Sequence, residues 1–194
     1  METVTLASTS PQRREILQKL GIPFRVLTVS VDEDISRGAT PEELVQTLAR
    51  EKVEAVRKAY RLTGNWIIGA DTVVLVDDMR VGKPKDRDDA RRHLAMISGR
   101  EHAVITGVAL AVGGGRSIET IVETTRVSVA PLTDVDIEWY LDTEEWQGAA
   151  GSYRIQGRGA CLIDRIEGSY TNVVGLPIHR LYGMLRQHQY MLSA

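Results

Sequence analysis

Along this chain the apolar positions switch between a period of two and a helical period, and the switches predict its elements. Residues 3–7 alternate into a short strand that stops at Ser8. Ser10 as N-cap and Pro11 at the first helical position open a helix that Gly21 closes, with Ile16, Leu17 and Leu20 as its apolar stripe. Residues 24–31 predict a second strand, followed by the acidic loop "VDEDISRGATP" and a long helix over residues 41–60 that ends before Gly64. "WIIGADTVVLV" is apolar on both faces, as in a central strand of a covered sheet, and Asp77 and Asp78 turn it. A helix follows from about residue 86 to Gly99. Strands over 102–112 and 118–130 flank the Gly113-Gly114-Gly115 turn and suggest an antiparallel hairpin. Thr133 caps a helix through Leu141. The glycine-rich "GAAGSYRIQGRGA" leads to a short strand over 161–166 and a last helix over 177–187. These elements predict an α/β fold with a mixed sheet. With no internal repeat and no long linker, residues 1–194 read as a single domain.

Composition narrows the class. At 194 residues, 43% hydrophobic and 26% charged, the chain has the make-up of a globular protein with a substantial core. A net charge of −2 gives no overall attraction for nucleic acid or acidic lipid, so any polyanion must be met by a local cluster. Cys161 is the only cysteine, which excludes an intramolecular disulfide framework and fits a reducing cytoplasm. No stretch approaches the roughly 18 apolar residues of a membrane span, and "METVTLAS" lacks the pattern of a secretion signal.

Candidate chemistry lies in polar groups placed where the pattern wants apolar ones. At about 100° per residue, Val45, Leu48, Ala49, Ala55, Val56 and Ala59 all fall within about 60° of Lys52 around the long helix. Its ammonium therefore either reaches solvent, forms a structural salt bridge, or meets an anionic ligand. Asp71 interrupts the central apolar run. It either sits on a turn at the surface or serves as a general base or metal ligand. Lys83, in "GKP", is a surface lysine or a phosphate contact, and no Walker A string occurs. Asp32, Glu33 and Asp34 form a solvated turn or a magnesium site. Arg13 and Arg14 both occupy the first turn of the first helix, where the N-terminal dipole disfavours cations. One turn cannot bury both. Ser8, Thr9 and Ser10 place hydroxyls at a strand-to-helix junction suited to an anion.

In order, "LASTSPQRREIL", "EELVQTLAREKVEA", "IIGADTVV", "GKPKDRDDA", "ISGREHAVITGVAL" and "AGSYRIQGRGACLIDRIEGSYTNVVGLP" resemble the motifs of the Maf family over nearly the whole chain. The resemblance implies a fold like that of the inosine triphosphate pyrophosphatases, an elongated mixed sheet with flanking helices in two lobes around a cleft. It implies a cytoplasmic nucleoside triphosphate pyrophosphatase that uses magnesium or manganese and is commonly a homodimer. It implies Asp71 as proton acceptor, Glu33 in metal binding and catalysis beside Asp71, and Lys52, Lys83 and Arg13 around the triphosphate. Ser8 and Ser10 join the substrate contacts. Gln12, Thr72 and Gln156 match the positions that separate subfamilies. Thr72 and Gln156 match the dTTP/UTP enzymes, whereas Gln12 replaces their usual arginine. The resemblance leaves a 7-methyl-GTP pyrophosphatase as the near alternative and a cell-division regulator acting by protein interaction as the distant one. Neither a stable nucleic-acid partner nor a membrane is expected.

Overall fold

The computed structural model describes residues 1–34, 40–63, 66–113 and 117–190. The strands are β1 (Val4–Ala7), β2 (Phe24–Val26), β3 (Trp66–Val76), β4 (Met79–Val81), β5 (Glu101–Ala111), β6 (Ile118–Val129) and β7 (Ile163–Glu167). The helices are α1 (Pro11–Lys19), α2 (Pro41–Ala59), α3 (Arg87–Ile97), α4 (Asp134–Leu141), α5 (Tyr170–Val174) and α6 (Ile178–Gln187). All seven strands form one mixed sheet in the order β2-β1-β3-β5-β6-β7, with β4 on β3. Strand β1 pairs in parallel with β2 and β3, whereas β3 with β4 and β6 with β7 are antiparallel. The expected α/β class with a mixed sheet is what the chain forms.

Local signals set most boundaries. Ser10 accepts from the Arg13 N–H at the start of α1, and Thr40 and Glu43 make a reciprocal capping box on α2. Thr133 and Asp136 do the same on α4. Strand β2 is shorter than the expected residues 24–31. It is an edge strand on β1, and β1 ends at Ala7, so β2 loses its hydrogen-bond partners just past Val26. Residues 158–162, partly expected as strand, wind into a 3-10 turn, and β7 starts at Ile163. Gly159 lies against the Arg154 backbone there, where a Cβ would come within 3.0 Å of the Arg154 carbonyl carbon. Strand β4 and the short α5 were not expected; Asp77 and Asp78 form the two-residue connection of a hairpin in which Val76 pairs with Met79. The centre of the acidic loop (35–39), Gly64 and two of the three turn glycines (114 and 115) lie outside the described residues.

The chain divides into two compact units. The first comprises Met1–Asp71, Thr106–Glu123 and Gly175–Ala194. Its core brings Ala49, Val53 and Val56 of α2 together with Ala7, Ile67, Ala109 and Ala111 of the sheet. Gly69 and Gly107 share this face by strand alternation. A Cβ on Gly69 would meet the Val53 side chain at 2.8 Å, and one on Gly107 would meet the Val45 carbonyl carbon at 2.5 Å. The absence of side chains at these two positions lets α2 approach the strands to backbone contact.

The second unit comprises Thr72–Ile105 and Thr124–Val174. Its core joins Leu94 and Ile97 of α3, Ile137 and Leu141 of α4, and Val127 and Val129 of β6. His102 and Tyr153 are buried in this unit, with the imidazole Nε2 2.8 Å from the phenol oxygen. Burial lowers the His102 pKa to about 4.

Two outcomes follow. Gly107→Ala forces a methyl into the α2 backbone, which has no flexible end to yield. Calorimetry should show a loss of about 1–3 kcal/mol, seen as a Tm lower by roughly 2–10 °C. His102 binds a proton in the unfolded chain near pH 6.5 but in the folded one only near pH 4. Its contribution is therefore complete above about pH 6.5 and is lost as the pH falls toward about 4, up to about 3 kcal/mol. Urea unfolding across that window should show a steeper loss for the natural protein than for His102→Gln.

Candidate functional site

The first unit gathers the charged residues that the apolar pattern could not explain. Lys52 stands on α2 one turn from Leu48, Ala49 and Val56, all buried, and its side chain is only 12% exposed. Its Nζ lies 2.6 Å from Asp71 Oδ1 and 2.6 Å from Glu33 Oε1. The same Nζ lies 3.5 Å from the Ala70 carbonyl oxygen. Asp71 closes this unit on β3 and, two residues beyond Gly69, projects from the face that α2 covers. Of the readings open for Lys52, the salt bridge is present, and it joins two acids rather than one. For Asp71 it replaces the surface turn with an unbroken strand and a largely buried carboxylate, 14% exposed.

The two arginines of the first turn part company. Arg14 faces solvent, while Arg13 is buried. Its Nε donates to the Gly175 carbonyl at 2.8 Å, and its Nη1 donates to Ser8 Oγ at 3.0 Å and the Ala70 carbonyl at 2.9 Å. One guanidinium thus ties the residue after β1, the residue before Asp71 and the approach to α6. Burial pushes its pKa down, while the negative charges of Asp71 and Glu33 push it back up. Ser8 is buried, and its Oγ also receives the Ser10 N–H at 3.3 Å. The Ser10 hydroxyl donates to Gln12 Oε1 at 3.0 Å, which sets the amide of Gln12 beside the helix start.

The remaining expected site residues belong to the second unit. Thr72 follows Asp71 along β3 and alternates to the opposite face. Lys83 is exposed on the loop between β4 and α3, and Gln156 is exposed after the 3-10 turn at Ala150–Ser152. The Gly151 N–H donates to the Gly82 carbonyl at 3.1 Å, so the segments carrying these two side chains are in direct contact. Periodicity gave no sign of the carbonyl acceptors of Arg13, because backbone groups leave no signature in residue type.

Among the described residues no group of three or more His, Cys, Asp and Glu is gathered to hold a metal. Glu33 and Asp71 nevertheless converge on one point, now filled by an ammonium. Two carboxylates suit a magnesium-like ion that takes its other ligands from phosphate and water.

Removing Arg13 takes a charged donor from three buried acceptors, the Gly175 and Ala70 carbonyls and Ser8 Oγ. Arg13→Ala should lower unfolding stability by about 3–5 kcal/mol in urea titration. Arg13→Lys should remain well below the natural protein, since an ammonium cannot reproduce the planar fork.

The family model described as "Maf-like protein" matches residues 3–188. A protein of Symbiobacterium thermophilum named dTTP/UTP pyrophosphatase is 47% identical over 190 residues, covering 98% of this chain and 96% of the relative. One of Pelotomaculum thermopropionicum with the same name is 44% identical, covering 98% of each. Among solved structures, the Ham1 proteins of Staphylococcus aureus and Coxiella burnetii each superpose with a TM-score of 0.55 at 14% identity. They cover 97% and 96% of this chain and the whole of their own, a likeness of fold.

Proposed function

This chain belongs to the Maf family, and we propose that it hydrolyses dTTP and UTP to the nucleoside monophosphate and pyrophosphate. The observation that carries the mechanism is the ammonium of Lys52 held 2.6 Å from both Asp71 and Glu33. Water attacks the α-phosphorus and the bond to the β-phosphate oxygen breaks, so the residues must orient a water and neutralise a leaving pyrophosphate.

Asp71 accepts the proton of the attacking water. Its position is fixed on both sides: Lys52 holds the carboxylate, and Arg13 holds the Ala70 carbonyl just before it. Lys52 supplies positive charge beside the reacting phosphate, and Lys83 supplies more on the leaving group. Arg13 has three of its contacts directed to carbonyls and a hydroxyl of the protein, so it acts as much by holding Ser8 and Asp71 as by its charge. Magnesium or manganese bound at Glu33 and Asp71 would neutralise phosphate oxygens. Gln156 and Thr72 read the base, the amide of Gln156 donating and accepting as a pyrimidine imide edge requires. Gln12, already oriented by Ser10, adds an uncharged amide to the substrate contacts.

The test is pyrophosphate release from a panel of nucleotides with Mg²⁺ or Mn²⁺, ranked by kcat/KM. dTTP and UTP should lead. Asp71→Asn should lower kcat by about 10²–10⁴-fold while the circular dichroism spectrum is unchanged. Full turnover by Asp71→Asn would remove the assigned base, and preference for 7-methyl-GTP would remove the weight given to Thr72 and Gln156.

A further inference from the structure

Ser152 is fully buried, yet it holds a backbone φ of +63°, in the left-handed region that side chains with a Cβ rarely adopt. Gly151 before it has φ +70°. Two such residues in succession need an external hold. The hold on the page is His93 of α3, whose Nδ1 lies 2.7 Å from Ser152 Oγ. On its far side His93 Nε2 lies 3.7 Å from Asp89 Oδ1. The Asp89 carboxylate in turn accepts the Lys85 N–H at 3.0 Å. Because Gly151 N–H donates to the Gly82 carbonyl, the contacts close a ring: Gly82 loop, Asp89, His93, Ser152, Gly151.

An acid, an imidazole and a hydroxyl in sequence invite comparison with a nucleophilic triad. Burial excludes it, since no substrate reaches a serine with 0% exposure. The His93 side chain is largely buried, and desolvation lowers its pKa against the opposing pull of the Asp89 charge. A neutral imidazole with its proton on Nε2, the side of the Asp89 carboxylate, leaves Nδ1 to accept the Ser152 hydroxyl proton. The ring of contacts thus holds a hydrogen bond at Nδ1 and faces the carboxylate across 3.7 Å at Nε2.

What it joins gives it a purpose. Lys83 lies between Gly82 and Lys85, both pinned by the ring. Gln156 lies four residues beyond Ser152. We propose that His93 is a positioning residue, which through Ser152 and Asp89 fixes the segment bearing Gln156 against the loop bearing Lys83 and so sets how tightly nucleotide is held. This rests on the roles given to Lys83 and Gln156 above. Neither His93 nor Ser152 touches reacting atoms, so the effect belongs to binding.

The experiment compares the natural protein with His93→Leu, His93→Asn and Ser152→Gly. Glycine keeps the left-handed backbone and removes the hydroxymethyl group that meets His93. For dTTP, His93→Leu and Ser152→Gly should each raise KM about tenfold with kcat within about twofold. The double variant should lose little more than either single one, and His93→Asn, whose amide reaches Ser152, should restore most of the loss. A packing role alone would lower Tm in all variants and leave KM unmoved. Unchanged KM in both Ser152→Gly and His93→Leu overturns the proposal. Should the natural protein release no pyrophosphate from dTTP or UTP, the functional reading fails. The ring is then read by amide exchange in His93→Leu. Selective acceleration at Gly151 and Lys85 upholds it, and unaltered exchange there overturns it.

Discussion

The contact on which the first unit depends is a helix lying on strands that carry no side chain at two facing positions. Gly69 and Gly107 offer bare backbone to α2, so the helix settles close enough for a lysine in the middle of its buried face to reach a strand carboxylate. A methyl at either position would lift the helix or tilt it. The hydrophobic residues of α2 would still find apolar partners after such a shift. A salt bridge 2.6 Å long would not survive it. The apolar contacts therefore supply the stability, while the two glycines supply the distance at which the charges meet.

Arg13 works on the same geometry from the other side. Its buried guanidinium binds carbonyls and a hydroxyl from three stretches far apart in sequence. Desolvating it is costly, and its hydrogen bonds offset that cost only if all its acceptors stay in place. A residue with such strict requirements contributes definition more than net stability. The N-terminus of α1, unfavourable for a cation on its own, tolerates Arg13 because the side chain leaves the helix axis and is neutralised by the fields of Asp71 and Glu33.

Much of this was legible in the residue pattern. Strand β3 was read at its true limits because eleven residues, apolar on both faces, end in a turn that Asp77 and Asp78 form. The position of Lys52 on the buried face was legible because the helical period of apolar residues holds from Leu44 to Val56, although Ala59, expected on the same face, is exposed at the helix end. Strand β2 was overread because edge position is decided by the length of its neighbour, which a local pattern does not carry. The 3-10 turn before β7 was missed for a related reason: a glycine's meaning there comes from the backbone it touches, that of Arg154. The pairing of Lys52 with Glu33 joined residues of a helix and a loop, and only the fold could put them at one point. His93 gave no signal, since a lone histidine on a helix is ordinary until Ser152 is seen beside it.

Charge balance in the first unit bears on the chemistry. Among these described side chains the two cations Arg13 and Lys52 face the two acids Glu33 and Asp71, so the formal charges of these four balance. A triphosphate brings several further negative charges into a largely desolvated place, where an uncompensated excess is expensive. Lys52 cannot turn fully to a phosphate without giving up its 2.6 Å contacts to Glu33 and Asp71. A divalent cation accompanying the phosphates, as proposed above, would supply positive charge that these four residues do not have to spare. The balance of charge among them is thus a physical argument in support of that proposal, separate from the likeness to any relative.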